Sequence, residues 1–135
     1  MELADRLRVL VELGPVLDAP DADFGHWEAP PPKDGVYSLG WFEFGPTAEA
    51  WRTAVARGEW LDFGFDWRSW LATDAGAAFR DDPATLARAT SEELAWLLTA
   101  IVRSDRFVEG SIAGAFESGL LSRISRRAAA LLEAL

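Results

Sequence analysis

The stretch Arg103-Ser104-Asp105-Arg106-Phe107-Val108-Glu109-Gly110 sets two guanidinium groups beside two carboxylates, and Phe116-Glu117-Ser118-Gly119 adds a third carboxylate soon after. Arginine forks grip carboxylates and phosphates with paired N–H groups, and the open N–H groups at a helix start also favour anions. A helix beginning at Ser111, with Ser111 as its N-cap, would aim those N–H groups toward Arg103 and Arg106. Together they could hold a small anionic ligand. Glu109 opposes that reading, because its own carboxylate could take the same place. The bland alternative is an internal network, with Arg106 paired to Glu109 or Asp66 and Arg103 paired to Asp105 or Glu117. Breaking one member of a buried pair of this kind costs about 3–5 kcal/mol, so such residues could be indispensable for structural reasons alone.

Two carboxylates in one pocket can also act as acid and base. Glu109 and Glu117 are the candidate catalytic pair, Asp105 would orient them, and Trp67 or Trp70 would supply a stacking wall. Carboxylates close to two arginines ionise more readily, which suits a base or a clamp better than an acid. The candidate ligand-binding set is Arg103, Asp105, Arg106, Glu109, Glu117, Ser118, Asp66 and Trp67. Gly110, Gly114 and Ser118 stand four apart and share one helix face. A glycine inside a helix costs about 1 kcal/mol relative to alanine, so Gly114 needs a reason. The close approach of a neighbouring helix is one such reason, and the close approach of a ligand is the other.

Other chemistries find little support. The chain has no cysteine, which excludes disulfides, a thiol nucleophile and thiolate metal sites. His26 is the only histidine and lies in a proline-rich stretch. Asp18, Asp21 and Asp23 cluster there too, but lack the spacing and the closing bidentate glutamate of a calcium loop. Gly-rich phosphate loops, nucleophile elbows and His-x-x-x-His pairs are missing. Neither a cofactor nor a metal is expected.

The elements that must position these residues fit one domain spanning residues 1–135, with half its residues apolar and a core rich in Trp and Phe. Net charge is −9, which argues against sequence-independent nucleic-acid binding. The charge is uneven: residues 1–100 hold 18 acids against 8 bases, while residues 101–135 hold 4 against 5. An anionic ligand or acidic partner would therefore fit best against the C-terminal quarter. No apolar run approaches the roughly 20 residues of a membrane span, and no signal peptide is evident, so a cytoplasmic protein is expected.

Leu3, Leu7, Leu10 and Val11 predict a helix over Met1–Leu13, stopped by Gly14-Pro15. Residues 14–35, rich in Pro and Asp, read as an irregular excursion. Val36–Phe44 and Trp60–Phe65 are aromatic strand candidates that could pair. Gly45-Pro46-Thr47 opens a helix to about Arg57, ended by Gly58. Asp66 can cap a helix from Trp67, and Asp82-Pro83 starts a short one. Thr90-Ser91-Glu92-Glu93 is a capping box that launches the apolar helix Leu94–Val102. Ser111–Ser118 reads as two helical turns. Residues 120–135 form the cleanest amphipathic helix, with Leu120, Leu121, Ile124, Ala128, Leu131, Leu132 and Leu135 on one stripe. The expected fold class is mainly α, with five to six helices and a short two-stranded β element.

In Arg103–Gly110 and Phe116–Gly119 the chain resembles a bacterial domain family of unknown function whose signature is R-x-D-R-F-x-E-G followed by F-E-S-G. The likeness extends upstream to Phe65-Asp66-Trp67 followed by Trp70, and more loosely to Trp27, Asp34-Gly35 and the aromatic Val36–Phe44 segment before the Pro46 helix. Relatives often carry a cysteine after the Arg-Phe pair. This chain has Val108 there, so a thiol cannot be essential to it. The resemblance implies a complete single domain and brings no activity with it.

Three functional expectations follow. The first is a small binding or interaction domain for an anionic ligand or protein partner. The second is a carboxylate-based hydrolase or transferase acting on a sugar or nucleotide-like substrate. The third is an acidic inhibitor or mimic from a mobile element, which would require a continuous acidic face.

Overall fold

Two helices from opposite ends of the chain pack into a frame, and the other elements are laid against it. In the computed structural model, which describes residues 1–135, α1 (Leu3–Asp18) buries Leu7, Leu10, Leu13 and Leu17. Helix α8 (Leu120–Glu133) packs along it and buries Leu120, Leu121, Ile124 and Ala128. Gly14 marks the close approach. A Cβ at that position would lie 2.9 Å from the Ser125 hydroxyl oxygen. That hydroxyl is buried and donates to the Leu10 carbonyl at 2.8 Å.

The helix stop expected at Gly14-Pro15 does not occur, and α1 runs on to Asp18. Pro15 offers no N–H to the Val11 carbonyl, which weakens the helix locally. Leu13 and Leu17 remain buried in the core on either side of it, and this packing holds the last turn. Gly14 therefore serves helix–helix contact and not termination.

The β element also differs from expectation. Strand β1 (Gly25–Glu28) lies inside the stretch read as irregular and pairs antiparallel with β2 (Trp41–Phe44), placing Trp27 opposite Phe42. Only the last four residues of the Val36–Phe44 candidate are strand. Trp60–Phe65 is not a strand at all. Trp60 is fully buried and its indole N–H donates to the Arg6 carbonyl at 2.9 Å, so side-chain burial fixes this segment in place of strand pairing.

Helix α2 (Pro46–Arg57) starts and stops where its Gly-Pro and Gly signals place it, and buries Trp51 and Val55. Three short helices follow, α3 (Trp67–Leu71), α4 (Asp74–Asp81) and α5 (Pro83–Leu86), capped by Asp66, Thr73 and Asp82 in turn. Trp70 belongs to an aromatic cluster here, with its ring 5.7 Å from Phe79 and 5.9 Å from Trp96. Helix α6 (Ser91–Ser104) begins with the Thr90–Glu93 capping box and buries Leu94, Leu97, Leu98 and Ile101. A tight turn leads to α7 (Ser111–Glu117) and then α8. The fold is mainly α with one small antiparallel sheet. It has eight helices because the 67–86 region, which lacks a periodic stripe, is divided by its caps into three.

Gly14→Val should lower stability by about 2 kcal/mol through overpacking at the α1–α8 contact, and Ser125→Ala by about 1 kcal/mol through loss of a buried hydrogen bond. Because Ser125→Ala also makes room, the double variant should be less destabilised than the sum of the two, as measured by urea unfolding midpoints.

Candidate functional site

Asp105 organises the turn between α6 and α7. One of its carboxylate oxygens accepts from the N–H of Gly110 at 3.2 Å and from that of Ile112 at 3.0 Å. The anion position at the start of α7 is thus filled by the chain's own carboxylate. Ser111 is not the N-cap. Gly110 takes that position with φ of +99°, and the Ser111 hydroxyl donates to the Val108 carbonyl at 2.9 Å. A left-handed backbone suits glycine. A Cβ at Gly110 would also meet the Trp27 ring at 2.7 Å.

Glu109 turns the other way. Its carboxylate accepts from the Phe42 N–H of β2 at 2.9 Å and ties the turn to the sheet. Asp66 accepts from the N–H and hydroxyl of Ser69 at 3.2 and 2.7 Å, and these bonds hold its carboxyl below the usual aspartate range. The arginines are left without carboxylates. Arg106 is exposed and its side chain makes no hydrogen bond, and Arg103 lies over the Phe63 ring with a buried Nε–H that has no acceptor. The ion pairs of the molecule are Met1–Glu59, Arg8–Asp5, His26–Glu28, Arg52–Glu49 and Arg80–Asp81. The expected network among Arg103, Arg106, Asp66, Asp105, Glu109 and Glu117 therefore does not form. Backbone donors take up Asp66, Asp105 and Glu109 first. Glu117 is exposed.

Gly114 resolves differently. An added Cβ there would meet nothing within 4 Å, so no helix packs against that face. It lines a cavity of about 410 Å³ bounded by α3, α4, α6, α7 and the start of α8. That volume lies in the range of small-molecule sites. Leu97 and Ile101 of α6 give an apolar wall, while Ser111, Gly114 and Ser118 give a wall of small residues. The hydroxyls of Ser111 and Ser118 donate to main-chain carbonyls; the Ser118 oxygen also accepts from the Leu120 N–H at 3.4 Å, while the Ser111 lone pairs stay available as acceptors.

Charge enters the cavity from α4 and α8. Arg80 Nε and Nη2 donate to the Asp81 carboxylate at 2.7 and 2.9 Å. This two-pronged contact lowers the Asp81 carboxyl and raises the Arg80 guanidinium. Arg123 donates through Nη1 to the Ser118 carbonyl at 3.0 Å, and its buried Nε–H has no acceptor. Arg123 also borders an adjoining cleft of about 240 Å³, where Arg126 and Arg127 stand beside it. No three His, Asp or Glu side chains converge as a metal site.

Of the residues singled out from sequence, Ser111, Gly114 and Ser118 line this cavity. Arg103, Asp105, Arg106, Glu109, Glu117, Asp66 and Trp67 do not. Glu109 and Glu117 thus do not meet within it as an acid–base pair. Arg80, Asp81 and Arg123 come from short or distant elements with no motif to announce them. The unexplained glycine in α7 is the one sequence signal that pointed here.

No helix is long and apolar enough to cross a membrane. The chain belongs to DUF6508, a family of unknown function whose model matches residues 2–134. No curated protein and no solved structure matches it.

Because Glu109 holds a strand N–H and Arg106 holds nothing, their variants should part company. Glu109→Ala should lose about 1 kcal/mol in denaturant unfolding, whereas Arg106→Ala should stay within about 0.5 kcal/mol of the parent.

Proposed function

We propose that this chain is a binding domain whose cavity between α4, α6, α7 and α8 takes a small, partly apolar organic anion. The observation that carries the reading is Gly114. It pays the helix cost of glycine at a place where nothing crowds it, and the space it leaves open belongs to the cavity. An apolar wall at Leu97 and Ile101 suits a short hydrocarbon part. Arg123, whose guanidinium makes a single hydrogen bond, suits a carboxylate or phosphate, and the Ser111 lone pairs suit donors on the ligand. Pockets that are mostly apolar with a few converging polar groups are the usual form of a small-molecule site. The near-neutral C-terminal quarter of an otherwise acidic chain supports an anion at this place over any other.

The test is a titration of the isotopically labelled chain with a panel of short-chain carboxylates and phosphate monoesters. Amide shifts centred on Gly114, Ser118 and Arg123 are expected. A Cβ at Gly114 meets nothing within 4 Å, so Gly114→Leu should occupy the open space, raise stability by about 0.5–1 kcal/mol through helix propensity, and abolish those shifts. Binding undiminished in Gly114→Leu, or no response at these amides from any compound, would refute the reading.

A further inference from the structure

We propose that the loop 62–68 and the turn 103–108 together form a docking surface for an acidic protein segment, one that carries a carboxylate beside apolar side chains. This surface is separate from the cavity and does not depend on it. Phe63 and Phe107 are 69% and 62% exposed. The Trp67 and Phe107 rings lie 6.2 Å apart. The Arg68 guanidinium carbon lies 4.0 Å from the Phe107 ring centre and 5.5 Å from that of Trp67. Arg103 lies 5.6 Å over Phe63, and Arg106 stands exposed between the two stacks in sequence. A guanidinium over a ring keeps in-plane N–H edges available for a carboxylate.

These arginines lack acceptors for a definite reason. Each carboxylate of the two segments is already directed elsewhere. Asp62 accepts from the Gly64 N–H, Asp66 from Ser69, Asp105 from Gly110 and Ile112, and Glu109 from Phe42. None of Arg68, Arg103 and Arg106 forms an ion pair. The surface thus presents aromatic rings and three guanidinium groups without ion-pair partners, while the exposed Asp62 and Asp66 are engaged by the Gly64 N–H and by Ser69. Arginine and aromatic residues are the groups that dominate protein-interface energies. The complementary chemistry is an Asp or Glu next to a Leu, Phe or Trp. A nucleic acid would also offer anions and rings, but a chain of net charge −9 repels a polyanion far more than a segment with one or two carboxylates.

The experiment pans a display library of short linear peptides against the full chain and titrates the enriched peptides by fluorescence anisotropy. Enriched peptides are expected to share an acidic residue adjoining an aromatic or aliphatic one. Replacing that carboxylate by its amide, or testing Arg106→Glu or Phe107→Ala, should weaken binding about tenfold or more. Arg106→Glu should melt with the parent, since the Arg106 side chain makes no hydrogen bond or ion pair, and Phe107→Ala should stay folded with a melting temperature lower by only a few degrees as its contacts with Trp67 and Arg68 are lost. Gly114→Leu should bind these peptides normally, which separates this surface from the cavity. Four results would each overturn the proposal: no enriched peptide, enrichment without acidic preference, affinity unchanged in both variants, or tighter binding of a single-stranded oligonucleotide than of any peptide.

Discussion

The Asp105 carboxylate accepts from two N–H groups at the start of α7, and much of the C-terminal half follows from that choice. A carboxylate at this position satisfies donors that would otherwise point into the turn and offsets the positive end of the short helix. It fixes the direction in which α7 leaves α6. With α7 so placed, its small-residue face looks across the cavity and not into the core. Because the same carboxylate is engaged, Arg103 and Arg106 have no partner within their own turn. The cavity wall and the arginine-bearing surface are two consequences of one local preference for backbone donors over guanidinium.

The remainder of the fold supplies a rigid backing. Helices α1 and α8 bring the two ends of the chain together at Gly14 and Ser125, where small side chains allow close contact. Helix α6 fills the centre with leucines. Against this frame α3 and α4 are held by their caps and by the aromatic cluster of Phe65, Trp70, Phe79 and Trp96, whereas α7 sinks Ile112, Ala113 and Ala115 into the core and stacks Phe116 on Phe24. The cavity opens where this frame meets α3, which buries no residue fully, and α4, which buries only Gly76. Glu109 adds a tie from the turn to β2.

Much of the frame was legible in the sequence because the signals there are local. The Thr90–Glu93 box, the stripe of α8 and the Gly-Pro start of α2 each involve residues within a turn or two of one another. What failed were signals that compete with distant packing. Gly14-Pro15 reads as a stop until Leu17 is seen to be buried and Ser125 is seen to lie against Gly14. Trp60–Phe65 reads as a strand until the Trp60 indole is found inside the core. The candidate site was half legible for a related reason. Side-chain charges are visible in a sequence and main-chain donors are not, so neighbouring acids and arginines suggest ion pairs that the backbone then outcompetes. Gly114 stood out as an oddity, but Arg80 and Arg123 reach the cavity through tertiary placement alone.

Residue-resolved amide hydrogen exchange on Asp105→Ala, compared with the parent, tests the central role of this cap most directly. If Asp105 fixes α7, the amides from Ile112 to Ser118 should exchange markedly faster in the variant while those of α1 and α8 keep their protection, a local opening and not a global one. Unchanged protection throughout α7 would show that the helix is held by other means and would contradict the account.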